Sequence, residues 1–471
     1  MSEKRPITID DLYKIVYVED PQVSPDGRYI AFVKVTVDRL ENGYQRNIWL
    51  APTDGGEPFQ ITRSNKDSTP CWSPDGKTLA FVSMRSERPQ IYLLPLIEMG
   101  GEARALTNAQ TGATSPQWSP DGEYIAYLSG VNAEERAKED AGETPEPPKD
   151  KLEMEQRIAR KMHDETERWD PRLVERIPYR AGTAYLDDRY QQIYIVRTAE
   201  GLEGDEAKPR RLTSEDTHHT PPQWSPDGTY IYTSRAKDPE ADEPFRHSRI
   251  WRVRVEDGVG EFVLDSEAPI SDMMPRISQD GRYVAFARVQ LPLDSLTKVM
   301  ALPLDGDEPL ALNAEIDRSP AGYDWMSDGK LALNVMNYGD TVLYHSNPAN
   351  GDYEQRFTDR MVMEDFDMAA DGGVAFVGST PENPCELYWL PSGADKPQQL
   401  THFNQPLLDE IYVQPVQEVR YESPNGEVQG WYILPVGYEE GQKYPLALNI
   451  HGGPHGMWGP STRTMWHEWQ V

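Results

Sequence analysis

Short runs of β-forming residues, each closed by a turn signal, fill the chain as far as Thr401. Tyr29-Ile-Ala-Phe-Val33, Asn47-Ile-Trp-Leu50, Gln90-Ile-Tyr-Leu-Leu94, Gln192-Ile-Tyr-Ile-Val196 and Tyr283-Val-Ala-Phe286 are either alternating or continuously apolar. That pattern predicts strands, because strand side chains repeat every two residues whereas a helix face repeats at three and four. One recurring turn phases the runs. Ser24-Pro-Asp-Gly27 returns at Ser73-Pro-Asp-Gly76, Ser119-Pro-Asp-Gly122 and Ser225-Pro-Asp-Gly228, with weaker copies at Ser278-Gln-Asp-Gly281, Ser327-Asp-Gly329 and Ala370-Asp-Gly372. Trp72, Trp118 and Trp224 directly precede the Ser, and Trp325 stands two residues before Ser327. Asp-Gly supplies the positive φ that a tight hairpin turn needs, and the Pro presets φ ahead of it.

Start to start, the seven copies are 49, 46, 106, 53, 49 and 43 residues apart. Each unit adds a third strand and a fourth that often ends in Leu/Ile-Thr, as at Ile61-Thr62, Leu106-Thr107, Leu212-Thr213 and Leu400-Thr401. Four strands in about 45 residues make one propeller blade. The repeat therefore predicts an all-β, seven-bladed β-propeller. The first blade draws its strands from about Pro21 to Thr62 and the seventh from Phe366 to Thr401, so no strand is left over at either end. The ring is expected to close by packing alone, with no strand exchange. The doubled spacing marks an insertion at 130–188, between the second and third strands of blade 3. It opens with Ala133-Glu-Glu-Arg-Ala-Lys-Glu-Asp and Glu143-Thr-Pro-Glu-Pro-Pro, which reads as solvated loop. A helix carrying Met154, Ile158 and Met162 at i, i+4, i+8 is expected next. A lid over its own blade and a lip governing access or a subunit contact both fit this insertion.

After Thr401 the pattern changes. Glu418-Val-Arg-Tyr421 and Val428-Gln-Gly-Trp-Tyr-Ile-Leu434 are predicted strands joined by a turn at Pro424-Asn425-Gly426. Tyr444 to Ile450 is predicted as a third strand, apolar enough to be buried on both faces of a mostly parallel sheet, and it runs into His451-Gly452-Gly453-Pro454. A strand ending in such a Gly-Gly turn can offer a backbone N–H to the oxyanion of an acyl-transfer intermediate. This is the opening of an α/β-hydrolase domain, expected here to be incomplete. The division expected is residues 1–20 as an N-terminal segment, 21–405 as propeller and 406–471 as the start of the hydrolase domain.

Composition narrows the classes. The 38% apolar content, with 24 Tyr and 12 Trp, is enough for sizeable cores. A formal charge of −31 argues against nucleic acid or an anionic membrane as partner. No apolar run approaches the roughly 18 residues of a membrane span, and no secretory signal follows Met1. Cys71 and Cys385 stand alone, as reduced thiols in a cytoplasmic protein would. No His-Glu-x-x-His pattern is present, and neither metal nor cofactor is expected.

The propeller repeat together with His451-Gly452-Gly453-Pro454 resembles the prolyl oligopeptidase family of serine peptidases, in its acylaminoacyl-peptidase and dipeptidyl-peptidase branch. The resemblance covers the whole chain. It implies a propeller that caps a hydrolase site and admits short peptides or N-acylated amino acids. It also implies that the Gly453 N–H forms part of the oxyanion hole, with His451, Gly452 and Pro454 shaping the turn. His451 reads as a packed imidazole and not as a proton carrier. Thr8-Ile-Asp-Asp-Leu-Tyr13 resembles the family's N-terminal helix, which packs on the hydrolase domain. The family's Gly-x-Ser-x-Gly elbow is absent from the sequence. At Gly459-Pro460-Ser461 the nearest match fails, because Arg463 takes the second glycine's place. His218, His219, His247, His345 and His402 are scattered over the blades. The chain is thus expected to stop early in the catalytic domain and to be inactive by itself, lacking nucleophile, acid and base. A non-catalytic propeller that binds a protein or peptide, like that of the Tol system, is the second reading. Self-association stays open.

Overall fold

The computed structural model describes residues 4–96, 101–143, 150–168, 179–181, 184–203, 208–239, 247–290, 296–306, 308–357, 359–450, 452 and 456–471. Its turns explain its repeat. Ser24 Oγ donates to Asp26 Oδ1 (2.7 Å) and accepts from the Tyr29 N–H (3.0 Å), while the Gly27 N–H donates to the Ser24 carbonyl (2.8 Å). Gly27 sits at φ +72 with no side chain to obstruct it. The same set recurs at Ser73, Ser119, Ser225 and Ser278. In the last of these, the Ser278 hydroxyl helps push Asp280 down to about 2.

Each turn joins the first two strands of a four-stranded antiparallel sheet, and the seven sheets are contiguous in sequence. Their innermost strands are Val16–Val23, Asp67–Trp72, Thr114–Trp118, Gln223–Trp224, Ile270–Ile277, Pro320–Trp325 and Val362–Met368. The outermost are Phe59–Gln60, Arg104–Ala105, Arg210–Arg211, Gly260–Phe262, Leu310–Ala311, Tyr353–Phe357 and Gln398–Gln399. Successive innermost strands touch, and the first touches the last, so the ring is complete. Among the described residues no strand is exchanged between blades 1 and 7, as expected.

The Leu/Ile-Thr ending also has a physical role. The hydroxyls of Thr62, Thr107, Thr213 and Thr401 accept the N–H of Ile48, Ile91, Ile193 and Leu387 on the third strand, at 2.8–2.9 Å. A side-chain oxygen thus replaces a ladder carbonyl and ends the outer strand.

Seven apolar clusters form the core, one at each blade junction. Period-2 alternation makes this so. Ala31 faces Leu79 and Phe81 of blade 2, while its neighbours Ile30 and Phe32 face Val377 and Leu387 of blade 7. Burying each such Leu, Ile or Phe contributes about 1.5–3 kcal/mol.

Three expectations need correction. Blades 1 and 7 begin at Val16 and Val362, ahead of Pro21 and Phe366. The ladder of blade 1 passes through a bulge at Asp20, whose φ of 52 absorbs an extra residue before Pro21. Thr69, Ser115 and Met274 hold the same conformation ahead of Pro70, Pro116 and Pro275.

The charged run after Asn132 is a helix, α1 (Ala133–Asp140), and not a loop. Asn132 and Glu135 form a reciprocal capping box. Arg136 pairs with Asp216, and Arg211 with Glu139 and Asp140, which bolts α1 to blade 3 and to the link beyond it. The following helix, α2 (Lys151–Arg168), is where the Met154–Ile158–Met162 spacing puts it; Met154 and Ile158 are half-buried and Met162 is exposed.

Tyr444 to Ile450 is the third correction. It forms no strand, and Leu446, Leu448 and Ile450 are 88%, 77% and 79% exposed. A strand buried on both faces needs hydrogen-bonded neighbours. The nearby hairpin Val416–Ser423/Gly426–Ile433 pairs only with itself around the predicted Pro424-Asn425 turn.

Candidate active site

Beyond the hairpin, residues 444–450 and 452 are exposed, and residues 456–471 lie against the propeller. Gly452 is exposed, with open space where a Cβ would stand. His451, Gly453 and Pro454 lie outside the described residues. From Gly456 onward the chain crosses the face of the ring that carries the loops between second and third strands.

Contact with blade 6 is backbone to backbone. A Cβ on Gly459 would lie 2.0 Å from the Gly339 carbonyl oxygen, and one on Gly339 (φ +90) would lie 2.6 Å from Trp431. The Gly339 N–H also points at Met457 Sδ, 3.2 Å away. Blade 7 follows, where Ser379 Oγ donates to the Ser461 carbonyl (2.5 Å) and Trp466 Nε1 donates to the Pro381 carbonyl (2.9 Å). Trp466 is buried among Ile7, Ile15, Leu407, Leu408 and Ile411. That cluster unites the 3-10 turn Ile9–Lys14, the short helix Gln405–Glu410 and the helix Trp466–Gln470. His467 Nε2 lies 3.0 Å from the Thr8 carbonyl oxygen.

On the innermost strands, the residue preceding each junction side chain is Gln22, Cys71, Gln117, Gln223, Arg276, Asp324 or Asp367. Burial, then the neighbouring Asp324, pushes Asp367 up to about 7, even though its Oδ2 accepts the Val23 N–H at 2.7 Å. Burial, then Asp365, pushes Asp20 up to about 6. Burial also raises Asp340, at the blade 6 turn, to about 6. The Cys71 thiol is pushed up to about 12 by burial, so it is protonated and unreactive at neutral pH. Burial thus raises three carboxyl groups, Asp367 furthest, toward neutrality.

The scattered histidines are not brought together. His219 is buried 3.4 Å from Glu215, and burial pushes its pKa down. His218 touches Tyr190. His345, pushed down to about 4 by burial, lies on the third strand of blade 6, and His402 meets Gln399 after blade 7. His247 adjoins the third strand of blade 4. Ser461 of the near-match elbow is fully buried and its Oγ has no hydrogen-bond partner, so it serves packing. Among the described residues, no three His, Cys, Asp or Glu side chains converge as metal ligands, and no helix is long and apolar enough to cross a membrane.

Sequence reasoning missed the inter-blade latch. Trp72, Trp118, Trp224 and Trp325 each donate an indole N–H to a backbone carbonyl one blade back, at Gln22, Cys71, Gln117 and Arg276 (2.9–3.0 Å). The repeated Trp before the turn was the signal. Its acceptor is main chain and leaves no trace in residue identity.

Comparison with known proteins bears on the assembly. Residues 14–145 match the TolB β-propeller domain. The uncharacterized peptidase YuxL of Bacillus subtilis (strain 168) is 30% identical over 492 aligned residues, covering 99% of this chain and 69% of that protein. The acylaminoacyl peptidase of Pyrococcus horikoshii superposes with a TM-score of 0.72 at 20% identity, covering 99% of this chain and 64% of its own. The β-propeller domain of the Trilobed protease from Pyrococcus furiosus, described as having an open velcro topology, superposes at 0.56 with 17% identity, over 84% of this chain and 98% of that one. The chain spans about two thirds of the length of the peptidases it matches along its whole extent. With an alignment at 30% identity that covers 99% of its residues, this chain belongs to the prolyl oligopeptidase family of peptidases, among its acylaminoacyl- and dipeptidyl-peptidase-like members with a TolB-type propeller.

Proposed function

We propose that residues 1–471 form the cap and the oxyanion side of a serine peptidase acting on short peptides or N-acylated amino acids. Residues 406–471 open its α/β-hydrolase domain, and the N-terminal residues ahead of blade 1 pack on that domain. The N–H of Gly453 helps hold the oxyanion, His451, Gly452 and Pro454 shape the turn, and the ring restricts entry to short substrates. In this reading a serine attacks the scissile carbonyl, a histidine takes its proton and an aspartate orients that histidine. No Gly-x-Ser-x-Gly occurs in Met1–Val471, so these residues alone are inactive.

The observation that carries the reading is the coincidence of two features in one chain. A propeller closed without an exchanged strand leads directly to a segment that folds back over one mouth of the ring, next in sequence to the Gly-Gly turn. A propeller serving only as a docking scaffold has no use for that return. The test is hydrolysis of acyl-amino acid and dipeptidyl anilides by the whole protein, with a serine-directed phosphonate as control. Hydrolysis abolished by the phosphonate is expected, and Met1–Val471 alone should give no turnover above buffer. Phosphonate-sensitive turnover by Met1–Val471 would put the nucleophile among these residues. A whole protein that cleaves none of these substrates would overturn the peptidase reading.

A further inference from the structure

The junction between blades 7 and 1 is closed by residues from opposite ends of the chain. Val23 stands where four other junctions have a latching Trp, and no exchanged strand covers the first strand of blade 1. The peptide groups of Val16 and Val18 that point away from the second strand would be left unpaired, at a cost of about 1–3 kcal/mol for each buried group. Side chains pair them instead. Asn404 Oδ1 accepts the Val16 N–H and Asn404 Nδ2 donates to the Val16 carbonyl, both at 2.9 Å. The Val18 N–H donates to Cys385 Sγ at 3.2 Å. The Val18 carbonyl accepts from Arg463 Nη1 at 2.9 Å.

Arg463 is the one member of this set that comes from beyond the short helix Gln405–Glu410. Its Nε also meets Glu364 Oε2 of blade 7 at 2.8 Å, and its guanidinium side chain is largely buried. One guanidinium therefore touches both sides of the seam. Its own position is fixed by Ser461 on blade 7, by Gly459 against Gly339 on blade 6 and by Trp466.

We propose that Arg463 is a positioning residue that pins the seam between blades 7 and 1 and, through the same contacts, helps fix the segment Gly456–Ser461, which follows His451–Pro454 in sequence. Opening the seam takes Arg463 from the Val18 carbonyl or from Glu364, and either loss removes one anchor of a segment that Ser461, Gly459 and Trp466 also hold. Widening the ring and loosening the segment that follows the Gly-Gly turn in sequence are then coupled. The catalytic half of this inference rests on the peptidase reading above; the seam half does not.

Hydrogen exchange of Met1–Val471 tests the seam. Arg463→Ala is expected to raise exchange about tenfold in both Val16–Val23 and Gly456–Ser461, with Tyr283–Gln290 of blade 5 unchanged. Glu364→Gln keeps the fold's shape and weakens only one anchor, so it should raise the same two segments by a smaller factor; it carries the test if Arg463→Ala does not fold. A rise confined to Gly456–Ser461, or no rise, overturns the pin. In the whole protein, Arg463→Ala should lower kcat for a peptide anilide about tenfold with KM within about twofold, as expected when transition-state contacts alone are lost. A raised KM with unchanged kcat overturns the positioning role. If the wild-type protein hydrolyses nothing, the peptidase reading falls while the exchange result still decides the seam.

Discussion

The indole N–H of Trp72 donates to the carbonyl oxygen of Gln22, 3.0 Å away in the preceding blade. Three further Trp residues repeat that bond around the ring. Four of the seven junctions are thereby held by a directional contact as well as by apolar packing. The three junctions without it have Ile277, Met368 or Val23 in the Trp position.

Trp118→Phe keeps an aromatic ring at the junction of blades 2 and 3 but leaves the Cys71 carbonyl without its donor. The expected loss is about 1–2 kcal/mol, read as a lower urea midpoint with an unchanged slope. The same change costs more than Phe59→Leu, which removes no hydrogen bond.

Asp367 gives a pH dependence of definite sign. Its folded value of about 7 lies above its ordinary 3.8, so between those limits the folded chain holds a proton that the unfolded chain has released. This contribution is fully present below about pH 4 and is lost as pH rises through 7. Asp324 faces it from blade 6, Cys71 from blade 2 and Val23 from blade 1, with Arg276 beyond Asp324. Asp367→Asn retains an acceptor for the Val23 N–H and removes the titration. Urea midpoints measured from pH 4 to pH 8 should fall less steeply in the variant, which should be the more stable protein at pH 8.

Arg249 is buried with no carboxylate in contact and donates to the carbonyls of Ser248, Ser266, Ala268 and Ile270. The link from blade 4 to blade 5 is wrapped around it. Arg249→Met should cost about 3 kcal/mol, because several carbonyls lose their donor together. Proteolysis should then cut first near residues 264–269.

Gly339→Ala separates crowding from backbone preference. Its Cβ would stand 2.6 Å from Trp431 and 3.2 Å from Gly459 Cα, at φ +90. Gly393, at φ +73, has nothing within 4 Å of its Cβ position. Gly393→Ala should cost only the left-handed penalty of about 1 kcal/mol. Gly339→Ala should cost more and should release Gly456–Val471 to proteolysis, which Gly393→Ala should not.

The repeat made the ring, the blade count and the site of the insertion legible, because turn chemistry and strand alternation are local. Contacts between distant segments were not. Arg463 read only as the residue that spoils a Gly-x-Ser-x-Gly match, yet it spans the seam. Tyr444 to Ile450 had the composition of a buried strand, but composition does not supply the neighbours that a strand needs. The charges of Ala133–Asp140 suggested a loop and outweighed a capping box already visible as Asn132 and Glu135. At the Gly-Gly turn the sequence carries the reading, since three of its four residues lie outside the described structure.

The seam sets the order in which the ring can be completed. Every blade is built from strands consecutive in the chain, blade 3 around its insertion, so six junctions can form soon after their residues leave the ribosome. Val18 must wait 367 residues for Cys385 and 445 for Arg463. Until then the first strand of blade 1 is an open β-edge on a nascent chain, exposed to pairing with other chains. Closure of this ring is therefore a late event in synthesis, and slow translation through the last blade prolongs the interval in which that edge is unprotected.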